Sequence, residues 1–245
     1  RSEGVVYQMT AVPPPGIEGE GYWPLTPAQE GMFFQTIAHP HSGCYVEQVV
    51  GRLRENLDPQ RLQQCWQSAL ARYSVLRTCF QRDDAPEPGQ LVQARGTIPF
   101  VQEDWRAKSQ TEWEADLCEF LEADRARGFD LGETPLMRIA LLRLGEADYQ
   151  FVWTVHHIIV DGRSMNLLLR EVFEHYGDEK RATEDVLAEF TPFSAYAVWL
   201  REAPMDDAKV YWRDRLEGCC EATNLPLPAP ESPDVSLPTP GSLRH

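Results

Sequence analysis

Residues 149–177 read YQFVWTVHHIIVDGRSMNLLLREVFEHYG. From Tyr149 to His156 the side chains are mostly aromatic and β-branched, which predicts a strand. From Ser164 to Tyr176 the period changes. Met165, Leu168, Leu169, Val172, Phe173 and Tyr176 recur at steps of three and one, which predicts a helix with one buried face. The connection between them is HHIIVDG. Working upstream, Leu136 to Leu144 predicts a partner strand, and Gly145, Glu146, Ala147 and Asp148 a turn, so the two runs form an antiparallel hairpin.

Further out the period keeps alternating. Thr26 with Pro27 and Gln29 forms a capping-box signature for a helix over about 27–38. Tyr45 to Leu53 predicts a strand. Asp58 and Pro59 then open a helix with Leu62, Cys65, Trp66, Ala69, Leu70 and Tyr73 on its core face. Val75 to Gln81 reads as another strand. Ser109 with Glu112 caps a helix carrying Trp113, Leu117, Phe120 and Leu121. Two last helices follow, one opened by Thr191 and Pro192 and one over Asp206 to Leu216. The expected class is α/β (α+β), with a mixed sheet flanked by helices.

The chain has 245 residues, 42% hydrophobic and 25% charged, as a folded domain requires. That length lies between one large domain and two small ones. A net charge of -15 argues against a nucleic-acid partner and against an anionic membrane surface, both of which need clustered Lys and Arg. No run approaches the ~20 apolar residues of a membrane span, and nothing at the N-terminus has the pattern of a secretory signal. The six cysteines, at 44, 65, 79, 118, 219 and 220, show no C-x-x-C pair and read as reduced, mostly buried thiols. A cytoplasmic protein is therefore expected. Residues 11–21 and 224–241 concentrate Pro and Gly, so the expected organisation is a linker over 1–21, a lobe over 22–223 and a proline-rich linker over 224–245.

His156 and His157 are the sharpest feature. Neighbouring strand residues face opposite ways, so one imidazole faces the core and the other a cleft. That divergence, with no third ligand nearby, argues against a metal site. Asp161, followed by Gly162 and a helix, can turn back toward the strand and fix its geometry.

The segment from His156 to Gly162, H-H-x-x-x-D-G, resembles the signature of condensation domains of nonribosomal peptide synthetases, which share the chloramphenicol acetyltransferase-like fold. Its neighbours strengthen the likeness. Leu25 to Phe34 (LTPAQEGMFF) resembles the family's first motif, and Arg72 to Phe80 (RYSVLRTCF) its second. Phe129 to Arg138 (FDLGETPLMR), Phe193 to Leu200 (FSAYAVWL) and Tyr211 to Gly218 (YWRDRLEG) resemble the stretches around and after the central motif. The resemblance covers about residues 22–230, the first of the two lobes of such a domain.

What the resemblance implies is amide formation: the amine of an acceptor aminoacyl group attacks a donor acyl thioester. Both are held on phosphopantetheine arms of donor and acceptor peptidyl carrier domains, and the lobe itself holds no cofactor. His157 is then the catalytic histidine, acting as general base or as a group that orients the amine. Gly162 offers its backbone N–H near the reaction centre. His156 is a structural neighbour, and Asp161 is expected to pair with Arg77. Further implied partners are the C-terminal lobe of the same domain and adjacent synthetase domains, and the lobe alone is expected to form little or no peptide bond. Two other readings compete: a catalytically silent condensation-like module that binds carriers or recruits proteins, and a free-standing oligomeric acyltransferase. Tyr73, where the family often has His, and Arg163, where it commonly has Trp, depart from the pattern.

Overall fold

In the computed structural model the described residues are 22–81, 88–178 and 191–219; both expected linkers and Cys220 lie outside them. They fall into two compact units, one ending at Ala203 and one beginning at Pro204.

The first unit opens with β1 (Tyr22–Pro24) and α1 (Pro27–Ala38). α1 starts where the sequence places it, because the Gln29 N–H donates to Thr26 Oγ1 and the Gln29 side chain accepts from the Thr26 N–H at 3.0 Å. β2 (Val46–Leu53) is followed by α2 (Pro59–Arg72), whose first N–H groups donate to the Asp58 carboxylate. The expected strand from Val75 divides in two. Ser74–Arg77 forms a single 3₁₀ turn, and only β3 (Thr78–Gln81) is extended. β4 (Gly89–Val92), β5 (Phe100–Asp104) and α3 (Gln110–Arg127) come next. Then follow β6 (Met137–Gly145), β7 (Asp148–His156), α4 (Gly162–Gly177) and α5 (Phe193–Glu202).

The principal sheet has the order β2-β7-β6-β5. β7 runs antiparallel to both neighbours, and β5 runs parallel to β6, so the sheet is mixed as expected. A smaller antiparallel sheet has the order β1-β4-β3. There Gly89 lies flat under a ring, since a Cβ at this position would sit 2.2 Å from Tyr22.

Every residue of β7 from Tyr149 to His156 is buried, because both faces of the central strand are covered. On one face Phe151 and Trp153 meet Trp66 of α2, and Phe151 meets Phe173 of α4. The Tyr176 hydroxyl of α4 accepts from the Asp58 N–H at 2.8 Å, tying the end of α4 to the start of α2. The other face carries a smaller apolar cluster around Leu142 and Val152, packed by Trp113, Leu117 and Leu121 of α3.

Beside that cluster sits a charged group. Asp124 of α3 pairs with Arg138 of β6 at 2.5 Å and accepts from Thr154 and Gln48. Burial pushes its carboxyl up, but the bonds from Arg138, Thr154 and Gln48 outweigh it and hold the pKa below the usual carboxylate value.

The second unit contains α6 (Asp206–Leu216), on which Val210, Tyr211, Trp212 and Leu216 are all more than half exposed. All five described cysteines are free thiols. Cys65 and Cys79 are buried, but Cys44, Cys118 and Cys219 are exposed, so "mostly buried" does not hold for them.

Candidate active site

At the end of β7 the chain leaves the sheet through residues 157–161 and enters α4. Alternation separates the two histidines as expected. His156 is fully buried, whereas His157 is half-buried and lines a cavity.

The His156 ring has both nitrogens engaged. Nδ1 accepts from the Ile158 N–H at 3.1 Å, which leaves the proton on Nε2, 3.1 Å from Thr36 Oγ1. Phe129 packs edge-on against the ring. Burial, with a smaller contribution from the neighbouring His157, pushes the His156 pKa down to about 4, so the ring is neutral at physiological pH.

His157 is held by its backbone rather than its side chain. Its N–H donates to the Tyr45 carbonyl at 2.7 Å. Tyr45 has φ +60°, in the left-handed region that non-glycine residues seldom adopt, so strain sits beside this residue. The His157 Nδ1 is buried and has no hydrogen-bond partner. Among the described residues no group of three or more His, Cys, Asp or Glu is placed to hold a metal.

Asp161 caps α4, its Oδ1 accepting from the Ser164 N–H at 2.7 Å. That bond, with the Ser164 side chain, holds its carboxyl below the usual value. Gly162 is exposed in the first turn, where a helical N–H lacks a carbonyl four residues back. A Cβ added to Gly162 would meet nothing within 4 Å, so the chain's own packing does not require glycine there.

The expected pair of Asp161 with Arg77 is not formed, and Arg77 does not line the cavity. Arg77 Nη1 donates to the carbonyls of Leu70 and Ala71, and its Nε donates to the Gln93 carbonyl at 3.0 Å. The last turn of α2 leaves carbonyls without helical partners, and Arg77 in the adjoining 3₁₀ turn donates to two of them. Burial lowers its pKa.

Other residues, not expected from the sequence, hold the site. Gln29 is buried and donates through Nε2 to the Ile158 carbonyl at 3.3 Å, so α1 grips the loop that carries His157. Gln29, Phe33 and Thr36 stand at i, i+4 and i+7 on one stripe of α1, a spacing that the sequence does display. Tyr73 and Glu171 meet across 98 positions, a pairing that no local pattern signals. The Tyr73 hydroxyl donates to Glu171 Oε2, and Arg72 donates to Oε1 at 3.0 Å. Burial, reinforced by the bond to Glu171, raises the Tyr73 phenol to about 12.

The cavity beside His157 has a volume of about 640 Å³, within the range of about 300 to 1,000 Å³ usual for small-molecule sites. It follows the face of α4 that carries Ser164, Leu167, Leu168 and Glu171.

The mixed sheet and the strand that leads through paired histidines into a capped helix have the chloramphenicol acetyltransferase-like fold. Within that class the chain belongs to the condensation domain family, whose sequence profile matches residues 19–239.

One of the linear gramicidin synthase proteins of Brevibacillus parabrevis is 36% identical over 206 residues, which are 84% of this chain and 4% of that protein. Bacitracin synthase 1 of Bacillus licheniformis is 30% identical over 207 residues, again 84% of this chain and 4% of the relative. Among solved structures, the first condensation domain of the calcium-dependent antibiotic synthetase matches with a TM-score of 0.66 at 20% identity, covering 81% of this chain and 50% of that one. The X-domain in complex with OxyB from teicoplanin biosynthesis matches at 0.70 and 27% identity, covering 88% of this chain and 47% of that one. The chain thus spans about half the length of these two structures and a small part of the curated relatives. Among the described residues no helix is long and apolar enough to cross a membrane.

Proposed function

We propose that this chain is the N-terminal lobe of a peptide-bond-forming condensation domain of a nonribosomal peptide synthetase. The observation that carries the reading is His157: a half-buried imidazole with an unpartnered Nδ1, on the wall of a substrate-sized cavity, beside the first turn of a helix. The family membership and the synthetase relatives support it.

The reaction joins two thioester-held groups. The acceptor amine nitrogen attacks the donor carbonyl carbon, the C–N bond forms and the C–S bond breaks. The nitrogen loses one proton and the departing thiolate gains one. A thioester is an activated donor, and holding both partners in place removes much of the barrier, so the protein's first task is positioning. His157 either accepts the amine proton or orients the amine by a hydrogen bond. The Gly162 N–H, at the start of α4, faces the developing negative charge on the carbonyl oxygen.

In this reading His156, with Asp161, keeps the loop in place, and Arg77 holds the 3₁₀ turn against α2. The substrates arrive on phosphopantetheine arms of donor and acceptor carrier domains, and a second lobe and adjacent synthetase domains complete the catalyst. Among the described residues all five cysteines are free thiols, in keeping with a reducing cytoplasm.

The test uses the complete synthetase that contains this chain, with donor and acceptor carriers loaded in advance and the dipeptidyl product followed by mass spectrometry in a single turnover. Product from the wild type and its loss in His157→Ala are expected; equal rates in both would overturn the assignment. A pH–rate profile with a slow acceptor amine then separates the two roles. An acid limb that disappears in His157→Ala marks proton acceptance, and a profile without that limb marks positioning.

A further inference from the structure

The cavity that begins at His157 continues well past the place where the bond would form. Ser164, Leu167, Leu168 and Glu171 lie on one side of α4, and the ten steps from Asp161 to Glu171 rise about 15 Å. Resting on the proposed function above, we propose that this trough is a specificity pocket for an apolar side chain or acyl group of a thioester-held substrate.

Most polar groups of the wall are already spent. Thr26 and Gln29 bond to each other in the capping box, and Gln29 also bonds to the Ile158 carbonyl. At the far end the Glu171 carboxylate is held by the Tyr73 hydroxyl on one oxygen and by the Arg72 guanidinium on the other. Its charge is balanced inside the wall and is not on offer to a cationic ligand.

Between these ends the surface is made by side chains such as Val75, Ile159, Leu168 and Phe193. A charged or strongly polar group entering here would leave water and find no partner, whereas an apolar group would only leave water. The half-buried His157 ring lines the opposite end, where the reacting atoms belong. The trough is therefore polar at the reaction centre, apolar along its length and self-neutralised at its end.

Two apolar residues of the wall are also left in solvent. Leu167 of α4 is 46% exposed and Tyr196 of α5 is 40% exposed. Tyr196 also packs against Phe193 and Trp199, but apolar surface left exposed on a cavity wall marks a contact surface.

The thioester-held group could belong to the donor or to the acceptor, and the experiment has an arm for each. Carriers of the complete synthetase are loaded with chosen aminoacyl-phosphopantetheine groups, which bypasses the usual selection. In one arm the donor is phenylalanyl, leucyl, glycyl or aspartyl with the acceptor fixed; in the other the acceptor is varied with the donor fixed. In one arm the wild type should favour phenylalanyl and leucyl over aspartyl by about tenfold or more. Leu167→Asp, and separately Tyr196→Asp, should reduce that preference by about tenfold. Val101→Asp, at an exposed position on β5 remote from the trough, serves as control. Both pocket positions are exposed, and circular dichroism melts confirm folding.

Flat preferences in both arms, or the same shift in the control as in the pocket variants, would overturn the pocket while leaving the condensation reading intact. Absence of any product from wild type in every pairing would overturn the condensation reading, and the pocket with it.

Discussion

The two sides of the strand end at β7 differ in how many of their polar atoms are used. On the inner side His156 has a partner on each nitrogen, an aromatic edge against its ring and no solvent. On the outer side, one residue on, His157 is fixed through its backbone and has a buried Nδ1 with nothing bonded to it. A satisfied buried group contributes to the fold and has no capacity left for a ligand. The His157 ring is only half-buried and lines the cavity, where it can meet a ligand. The contrast assigns structure to one imidazole and chemistry to the other, and each side predicts a different response to substitution.

The largest effect should come from the outer side. His157→Ala in the complete synthetase should slow condensation by about 10²- to 10⁴-fold, the usual contribution of a positioned acid–base group. Its folding free energy should change by no more than about 0.5 kcal/mol, because no side-chain bond is lost. A rate loss accompanied by an equal loss of folded protein would break the contrast.

His156→Ala should show the opposite pattern. It empties a fully buried site and strands both the Ile158 N–H and Thr36 Oγ1, which should cost about 3 kcal/mol in denaturant unfolding. The rate per folded molecule should fall far less than in His157→Ala.

Acid reads the same inner side without a mutation. The folded His156 titrates at about 4 against an ordinary value of 6.5. Between those values the unfolded chain binds a proton that the folded chain does not, so stability rises with pH across the window and is lost as pH falls through it. The loss approaches about 3 kcal/mol by pH 4. In His156→Gln that part of the slope should vanish from unfolding curves measured at several pH values.

A smaller effect tests the residue the sequence misplaced. The family resemblance implied that Arg77 reaches Asp161, yet Arg77 bonds to three backbone carbonyls and Asp161 to the start of its own helix. Arg77→Ala should cost about 1 to 3 kcal/mol through those carbonyls. A double-mutant cycle with Asp161→Ala should give a coupling below about 0.5 kcal/mol. Coupling of several times that size would restore the ion pair.

Arg77 also shows where sequence reading stops. The capped helices and the β6–β7 hairpin were legible because their signals are local: a capping box at Thr26 and Gln29, an Asp58-Pro59 start, a turn between two apolar runs. The paired histidines were legible because alternation alone separates neighbours. What could not be read depends on distant partners. β1 is three residues ending in proline, and it forms because Gly89 leaves room for the Tyr22 ring. β5 is exposed along most of its length and is held by parallel pairing to β6, so it shows no clear alternation. The expected strand at Val75 became a 3₁₀ turn as Arg77 folded back on α2. Gln29 reads as a cap within the first motif, and its bond to the Ile158 carbonyl, which spans 129 positions, has no local signal.

The smallest effect on stability is the one that most sharpens the outer side. Gly162 lies at the start of α4 with open space where a Cβ would be, and its φ is not among the positive values. Alanine at this position therefore meets no atom of the chain and is the better helix former, so Gly162→Ala should leave unfolding unchanged or raise stability by up to about 1 kcal/mol. If the glycine serves only the fold, condensation should be equally untouched. If it serves the substrate, as the proposed function requires, the added methyl occupies space beside the N–H that the thioester oxygen approaches. The rate should then drop about tenfold or more with no loss of folded protein. A fully active, normally folded Gly162→Ala synthetase would remove Gly162 from the reaction centre and leave His157 to act without it.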